Sequence, residues 1–327
     1  MTALLQWLWY RSRCAGWLLL PLAWLYTLLS ALRKRRLLAA RPTLATPVLV
    51  VGNIHVGGTG KTPLLMAIVQ HLQQQGIRPA VISRGYGGKT RYPCLLNDSH
   101  SAADVGDEPL MIYRRCRCPV VVDPDRYAAA RYVEQHCQAD VIISDDGLQH
   151  YRLPRDVEIV VMDAARGFGN GLRLPAGPLR ESQSRLVTVD FLVTNGDSPQ
   201  RWHPQQHAMQ LLPGALLPVT NDTRRPAPLA GDTVHALAGI GHPQRFFATL
   251  QQLGYRLQAH AFADHYAFAA DDVSFADDLA VVMTEKDAVK CRPLAGLDRH
   301  FYLPVTAVLP QDFWQQLMQR LASINKV

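Results

Sequence analysis

Residues 48–63 read VLVVGNIHVGGTGKTP, and this stretch decides the fold class. Residues 48–51 form an uncharged, valine-rich run that is typical of a strand buried on both faces. The glycines between positions 57 and 60 allow the backbone to fold closely around phosphate oxygens, and Pro63 suits the first turn of a helix. A strand, a glycine-rich loop and a helix in this order predict a phosphate-binding P-loop.

The nucleotide-binding residues are predicted to form one unbroken run: His55, Val56, Gly57, Gly58, Thr59, Gly60, Lys61 and Thr62. Lys61 is expected to reach the β- and γ-phosphates of ATP, and the Thr62 hydroxyl is expected to bind Mg²⁺. The usual pattern begins with glycine, whereas this run begins with His55. The alternative is a structural glycine-rich turn, which the flanking strand and helix disfavour.

A second apolar strand, at residues 141–143, ends in Ser144-Asp145-Asp146. P-loop proteins commonly hold magnesium from the second side with an acidic residue at a strand end. Asp145 and Asp146 are therefore predicted metal ligands, alongside Thr62. The combination of the P-loop and this acidic strand end indicates a site for Mg²⁺ and ATP.

The basic surplus of the chain lies at its N-terminus. The formal net charge is +7, and residues 1–47 hold seven basic residues and no acidic one. The remaining 280 residues carry 27 basic and 27 acidic side chains, so the folded body is balanced. A nucleic-acid-binding domain would need a basic stripe on its folded surface, and we therefore expect no nucleic-acid partner.

Residues 14–32 contain no charge over 19 positions, which is long enough to cross a bilayer. The segment is flanked by aromatic side chains and by basic ones, which suit the headgroup region and mark the cytoplasmic side: Trp7, Trp9, Tyr10, Arg11, Arg13, Trp17, Trp24, Tyr26, Arg33, Lys34, Arg35 and Arg36. Pro21 is expected to interrupt the helix. Membrane association is expected, while a spanning helix and an interfacial helix stay open. A cleaved signal peptide and a buried core helix are the disfavoured alternatives.

Two further stretches carry groups suited to an acceptor. Residues 106–109 read GDEP, and Asp107 and Glu108 could divide the work of orienting a hydroxyl and neighbouring a metal. Acid in the first turn of a helix explains the same pattern without function, and composition alone favours that explanation. Arg180 could clamp a phosphate or form a surface ion pair. His265 stands alone in the sequence and by itself favours a structural role.

Several strings together closely resemble the tetraacyldisaccharide 4′-kinase family from the N-terminal helix to about residue 303. They are GGTGKTP (57–63), SRGYGG (83–88), GDEP (106–109), DDGLQHYRL (145–153), LPAGPLRE (174–181), AGIGHPQRFF (238–247), ADH (263–265) and MTEKDAVK (283–290). The resemblance implies ATP- and Mg²⁺-dependent phosphate transfer to the 4′-hydroxyl of a tetraacylated glucosamine disaccharide 1-phosphate. The product would be lipid IVA, made at the cytoplasmic face of the bacterial inner membrane.

The resemblance also implies residue roles. Asp107 would be the catalytic base, assisted by His265, with Lys61 on the phosphates and Glu108 near the metal. Further residues would line the substrate site: Gln149, His150, Arg180, Glu181 and Arg126. The expected partners are this lipid and the membrane surface, with no obligate protein partner.

The predicted fold class is α/β. Residues 1–36 would form a membrane-associated helix and basic collar, and residues 37–205 a P-loop NTPase-type domain with a parallel sheet. Residues 206–327 would form a smaller Rossmann-like α/β domain that closes over the active site, and the stretch at 197–232 would be a connection or a small β linker. The main rival is a membrane-associated P-loop switch ATPase without a lipid acceptor. A second rival is a membrane scaffold that uses ATP only structurally.

Overall fold

A computed structural model of the 327-residue chain describes residues 8–10, 15–220 and 225–324. Several residues used in the N-terminal prediction, namely Trp7, Arg11, Arg13 and Cys14, lie outside the described residues.

Helices and strands alternate along most of the chain. The α-helices, in chain order, are α1 (Leu20–Ala39), α2 (Lys61–Gln74), α3 (Ala102–Val105), α4 (Asp107–Cys116), α5 (Arg126–His136), α6 (Pro243–Gln252), α7 (Ala270–Val273), α8 (Glu285–Cys291) and α9 (Gln311–Ala322). The strands are β1 (Val48–Gly52), β2 (Pro79–Ser83), β3 (Cys94–Leu95), β4 (Val120–Val122), β5 (Val141–Asp145), β6 (Val157–Asp163), β7 (Phe191–Asn195), β8 (Gln206–Pro213), β9 (Leu217–Pro218), β10 (Thr233–Ala238), β11 (Arg256–Ala261), β12 (Ala280–Thr284), β13 (His300–Leu303) and β14 (Val305–Val308). Short 3₁₀ helices span Ala15–Leu19 and Gln183–Thr188.

The chain divides into two compact units, each built from separate stretches of sequence. The first unit holds Met1–Arg84, Cys118–Leu211 and Ala307–Val327, and the second holds Gly85–Arg117 and Leu212–Thr306. The sequence predicted contiguous domains over 37–205 and 206–327. The structure differs because residues 85–117 leave the P-loop unit and the C-terminal helix returns to it.

The first unit is a parallel sheet with strand order β8-β7-β6-β1-β5-β2-β4. Strands β1, β2, β5 and β6 are buried along their whole length, as expected where helices cover both faces of a sheet. The P-loop strand β1 lies between β5 and β6, so the acidic end of β5 lies next to the loop that follows β1. Ligands bind at this carboxyl edge in parallel sheets.

Helix α2 follows the P-loop and packs its apolar stripe into the core. Five side chains of this stripe are fully buried, each contributing about 1.5–3 kcal/mol: Leu64, Leu65, Ile68, Val69 and Leu72. The helix ends in a Schellman motif, since Gly76 N donates to Gln73 O and Ile77 N donates to Leu72 O, both at 3.0 Å. Gly76 has φ of 76°, which glycine adopts without strain.

The N-terminal segment Gly16–Ala39 is a helix of 24 residues, long and apolar enough to cross a membrane by length and composition. Only 11% of its most apolar window is buried, which disfavours a core helix. Large apolar side chains are exposed along it: Trp17, Leu18, Leu22, Trp24, Leu25, Leu28, Leu29 and Leu32. Pro21 does not interrupt α1 but lies at its second position, where a missing N–H is tolerated.

The second unit is a smaller sheet with strand order β11-β10-β12-β13-β9. The pairs among β11, β10, β12 and β13 are parallel, and β9 is antiparallel to β13. The segment Gly85–Arg117 is held in the second unit through α4, because Arg115 Nη1 lies 2.6 Å from Glu285 Oε2 at the start of α8 and Arg115 Nη2 donates to Thr306 Oγ1 at 2.8 Å. The predicted α/β class is confirmed for both units.

Within the stretch 197–232, expected to be a linker, Gln206–Pro213 pairs in parallel with β7 as a sheet strand. Its polar and proline content concealed it, because only His207 and Met209 of its eight side chains are buried.

Candidate functional site

The P-loop has the backbone conformation that its glycines predict. Gly57 has φ of 105° and Gly60 has φ of 95°, a region that other residues adopt only with strain. Two asparagines hold the loop: Asn53 Nδ2 donates to Gly57 O and Asn195 Nδ2 donates to Thr59 O, each at 3.2 Å. The N–H groups at the start of α2 therefore border a preformed anion-binding loop.

His55 occupies the first position of the loop. The backbone there does not adopt a positive φ, so glycine is not required at this position. Its backbone forms an antiparallel bridge with Leu179, and Val56 N donates to Pro178 O at 3.0 Å. The imidazole is buried and stacks on Phe168, with ring centroids 6.1 Å apart. Burial lowers the pKa of His55 to about 4, so the ring is neutral at pH 7. The departure from the usual glycine thus has a packing explanation.

Lys61 lies opposite the acid that follows β5. Its Nζ is 3.5 Å from Asp146 Oδ1, while Arg180 Nη1 lies 3.1 Å from Asp146 Oδ2. Burial opposes ionisation of Asp146, but the two cations outweigh it and lower its pKa to about 2. The Asp146 carboxylate is therefore ionised at neutral pH. It lies between Lys61 and Arg180, and both of these side-chain types commonly bind phosphate.

Asp145 and Arg126 lie behind this carboxylate. Ser83 Oγ donates to Asp145 Oδ2 at 3.1 Å, and Arg126 Nη2 donates to the Asp145 carbonyl at 3.3 Å. Burial, opposed by the nearby Asp145 and Asp146, lowers the pKa of Arg126 to about 10. Arg126 remains charged at neutral pH and buried beneath the acidic strand end.

Gln149, His150 and Glu181 also lie in the first unit. Gln149 Nε2 donates to Glu181 Oε1 at 2.8 Å and to Asn53 O at 3.1 Å. Glu181 is buried, and its other oxygen accepts a hydrogen bond from Tyr151. Burial, reinforced by Arg126, lowers the pKa of His150 to about 4. Glu181 thus holds the loop residues in place, whereas His150 is a neutral, half-buried ring.

The residues at this edge fit a hard divalent cation. Asp146 Oδ1 has no hydrogen bond within the described residues, and Asp146 stays ionised, so a carboxylate oxygen is available to a metal. Carboxylate and hydroxyl oxygens are the ligands that Mg²⁺ uses in such sites. Among the described residues no group of three or more His, Cys, Asp or Glu could form an all-protein metal cage.

The second unit contains a pair of titratable side chains that the sequence separates widely. His265 Nδ1 lies 2.9 Å from Asp107 Oδ2, and Asp107 is only 6% exposed. Burial opposes ionisation of Asp107, but the hydrogen bond from His265 and the charge of Lys286 hold its pKa below the usual value. The hydrogen bond to Asp107 raises the pKa of His265 despite partial burial. The two side chains form an Asp–His dyad.

The backbone on both sides of the dyad is tightly constrained. Gly106 precedes Asp107 with φ of 91°, and a Cβ there would lie 2.7 Å from Tyr86 O. Asp107 and Glu108 then open α4, so the helix-terminus explanation of GDEP is geometrically correct. His265 itself has φ of 60°, and Asp146 in the first unit has φ of 48°. Left-handed conformations of non-glycine residues are uncommon and concentrate at functional sites.

Lys286 is a site residue that the sequence analysis did not single out. Its Nζ lies 3.1 Å from Glu108 Oε1, 3.4 Å from His265 Nε2 and 3.8 Å from Asp107 Oδ2. Burial opposes its charge, but Glu108 and Asp107 raise its pKa. A signal was present, because Lys286 falls in the first turn of α8, directly after the end of β12.

The predicted site residues, together with Lys286, therefore fall into two groups. The nucleotide cluster, in the first unit, holds the P-loop with Asp145, Asp146, Gln149, His150, Arg180, Glu181 and Arg126. The dyad cluster, in the second unit, holds Asp107, His265, Glu108 and Lys286. Glu108, expected near the metal, is ion-paired with Lys286, and its metal role stays a prediction.

Comparison with known proteins gives a consistent result. The family model for tetraacyldisaccharide-1-P 4′-kinase (LpxK) matches residues 15–322. A tetraacyldisaccharide 4′-kinase of Hahella chejuensis is 48% identical over 338 residues, covering 99% of this chain and 98% of the relative. One of Alkalilimnicola ehrlichii is 51% identical over 314 residues, covering 94% and 93%. The crystal structure of "apo" form LpxK from Aquifex aeolicus, in complex with ATP, matches with a TM-score of 0.77 and 27% identity, covering 94% of this chain and 99% of that one.

Proposed function

Because the chain belongs to the tetraacyldisaccharide-1-P 4′-kinase family, we propose that it transfers the γ-phosphate of ATP to the 4′-hydroxyl of a tetraacylated glucosamine disaccharide 1-phosphate. The product is lipid IVA, an intermediate in lipid A biosynthesis. The observation that carries the proposal beyond nucleotide binding is the Asp107–His265 dyad, since a switch ATPase has no need of an acceptor base.

The nucleotide cluster binds the phosphate donor. The glycines at 57, 58 and 60 leave backbone N–H groups open to the phosphates, and Lys61 neutralises charge on the transferring group. Arg180 supplies a second positive charge beside Asp146. Thr62, Asp145 and Asp146 are the residues that would hold a magnesium ion, which would supply positive charge beside the phosphates.

The dyad cluster acts on the acceptor hydroxyl. Asp107 acts as the base and accepts the hydroxyl proton, with His265 hydrogen-bonded to the same carboxylate. As the hydroxyl oxygen bonds to the γ-phosphorus, the bond from that phosphorus to the β,γ-bridging oxygen breaks and ADP leaves. Lys286 keeps Asp107 ionised, so a carboxylate is ready to accept a proton. Because the two clusters lie in different units, their joint action depends on the predicted closure of the second domain, which stays a prediction.

The lipid acceptor explains the exposed N-terminal helix. An acylated substrate stays in the bilayer, so the enzyme works at a membrane surface. The apolar side chains of Gly16–Ala39 and the basic residues near its end suit association with the cytoplasmic face of the inner membrane. We propose no nucleic-acid partner and no obligate protein partner.

The proposal is tested with [γ-³²P]ATP, Mg²⁺ and the disaccharide lipid in neutral detergent micelles. We expect label in the lipid, at the 4′ position, and little free phosphate. Label in free phosphate alone would favour the rival switch ATPase. A Lys61→Ala variant serves as the control, because a scaffold that uses ATP only structurally would behave the same with and without this lysine.

A further inference from the structure

A basic pocket lies beside the end of the N-terminal helix, outside the nucleotide and dyad clusters. It has a volume of about 370 Å³, and its lining includes Leu38 of α1. Five cationic side chains line it: Lys34, Arg41, Arg155, Arg185 and Arg320. All five belong to the first unit. Lys34 and Arg41 are close in the sequence, whereas the three other arginines each come from a separate region of the chain. The fold has thus gathered cations that the sequence keeps apart.

Three carboxylates also line the basic pocket, those of Asp156, Glu158 and Asp190, and each already accepts a hydrogen bond. Asp156 Oδ2 accepts the Val48 backbone N–H at 2.8 Å. Glu158 Oε1 accepts hydrogen bonds from Arg155 Nη1, at 2.8 Å, and from Arg185. Asp190 lies 2.8 Å from Arg320 Nε through one oxygen and accepts the Glu158 backbone N–H at 2.8 Å through the other. Arg155, Arg185 and Arg320 are therefore the neutralised cations of the pocket.

Lys34 and Arg41 are the remaining cations. Neither has a carboxylate within ion-pair distance in the described part of the chain. Arg41 Nη2 makes one long hydrogen bond, 3.4 Å to the Arg155 carbonyl, and its buried Nε has no hydrogen bond among the described residues. Lys34 Nζ lies 4.7 Å from the Tyr151 ring centroid. Burial is the main cause that lowers the pKa of both side chains.

The location of the pocket beside the exposed part of α1 indicates which anion it binds. Lys34 and Leu38 lie on the same helix as the exposed Leu25, Leu28 and Leu29, between five and thirteen residues further along the chain. If that helix enters the bilayer, the pocket lies at headgroup depth, where phosphate is the prevailing anion. Guanidinium groups bind phosphate oxygens through paired hydrogen bonds, and a lysine adds a point charge.

We propose that the basic pocket binds the phosphate group of an anionic lipid at the membrane surface, with Lys34 and Arg41 as its principal contacts. This inference rests on the membrane association in the proposed function. Two lipids could supply the phosphate: a bulk phospholipid of the bilayer, or the acceptor itself through its 1-phosphate. The chemistry of recognition is the same, and the experiment separates the sources.

The test uses full-length Lys34→Gln and Arg41→Gln, with Arg35→Gln as the matched control. Arg35 lies on the same helix as Lys34, is exposed and does not line the pocket, so the control removes one positive charge from the same region of the chain. The first arm measures binding to phosphatidylcholine vesicles with and without phosphatidylglycerol. The second arm measures KM for the lipid acceptor in neutral detergent micelles that contain no other anionic lipid.

Loss of general surface attraction alone should weaken vesicle binding by about fivefold for each charge removed, in control and pocket variants alike. Loss of a charge-assisted hydrogen bond should add a further factor of about 10 or more. If phospholipid is the ligand, Lys34→Gln and Arg41→Gln should show this excess loss only on vesicles with phosphatidylglycerol. If the acceptor phosphate is the ligand, the excess should instead appear as a KM raised about tenfold or more.

Pocket variants that match Arg35→Gln in both arms, with unchanged KM for ATP, would overturn the pocket as a phosphate site. Failure of the proposed function would be seen separately, as an absence of labelled lipid with the wild-type enzyme. Unchanged thermal unfolding of each variant excludes misfolding as the cause of an excess loss.

Discussion

His265 Nδ1 lies 2.9 Å from Asp107 Oδ2, although 158 residues separate the two side chains in the sequence. The contact arises because the segment Gly85–Arg117 leaves the P-loop unit and packs with the second sheet. A carboxylate and an imidazole in this arrangement share one hydrogen bond, so the protonation of each depends on the other. The dyad is therefore a unit whose titration can be measured.

Replacing Asp107 by Asn should lower the pKa of His265. The hydrogen bond to Asp107 is the main cause that raises this pKa, and an uncharged amide would not stabilise the imidazolium. NMR titration of the His265 ring protons in wild type and Asp107→Asn measures the change. Asp264→Asn is the control, because Asp264 lies 3.9 Å from His265 Nε2 and contributes less. A larger shift in the control than in Asp107→Asn would contradict the assigned pairing.

The dyad should also make stability depend on pH. The folded pKa of His265 is raised above its unfolded value of about 6.5, so its stabilisation is complete below that pH and is lost as pH rises through the folded pKa. Urea unfolding should therefore show a larger deficit for Asp107→Asn at pH 5.5 than at pH 8.5. The opposite order would mean that His265 is not stabilised as an imidazolium.

Two glycines with positive φ allow a matched test of the P-loop. Gly60 has φ of 95° and Gly76 has φ of 76°, so alanine strains the backbone at both positions by about 1–3 kcal/mol. A Cβ at position 60 would approach Asn195 Nδ2 and Met209 at 3.0 Å, whereas none of the described atoms would contact one at position 76. Both variants should lose stability, and only Gly60→Ala should also lose nucleotide affinity in a titration with ATP. Equal ATP affinity in the two variants would count against the loop as the phosphate site.

Membrane association should depend on the exposed leucines of the N-terminal helix. Leu18, in the N-terminal helix, is 86% exposed, and Leu229, in the second unit, is 74% exposed. Leu229→Gln is therefore a matched control for Leu18→Gln, because each substitution removes one exposed leucine side chain. Burial of a leucine in an apolar phase is worth about 1.5–3 kcal/mol, so Leu18→Gln should reduce vesicle binding about tenfold or more. Leu229→Gln should bind vesicles like the wild type. Equal loss in both variants would show that attachment does not run through this helix.

The sequence predicted the features of the site that are local along the chain. The strand before His55, the turn through Gly60 and the acidic end of β5 follow from residue patterns within about 15 positions. These patterns report the burial and backbone freedom that each position needs. The P-loop prediction is confirmed at the level of fold and family for that reason.

The features that depend on distant segments were not predictable in the same way. Lys286 reaches Glu108 and His265 only because the segment Gly85–Arg117 packs against α8. No spacing in the sequence predicts that contact. The pairing of Asp107 with His265 entered only through resemblance to a family. The basic pocket likewise joins Lys34 to Arg320 across nearly the whole chain.

Steady-state kinetics of Asp107→Ala and His265→Ala test the central claim most directly. Loss of general-base assistance should lower kcat for lipid phosphorylation by about 10²–10⁴-fold. KM for ATP should stay close to the wild-type value, because the nucleotide cluster is unchanged. The account predicts this separation of kcat from KM in both variants. A fall in kcat of less than about threefold in Asp107→Ala, or a loss confined to ATP binding, would contradict it.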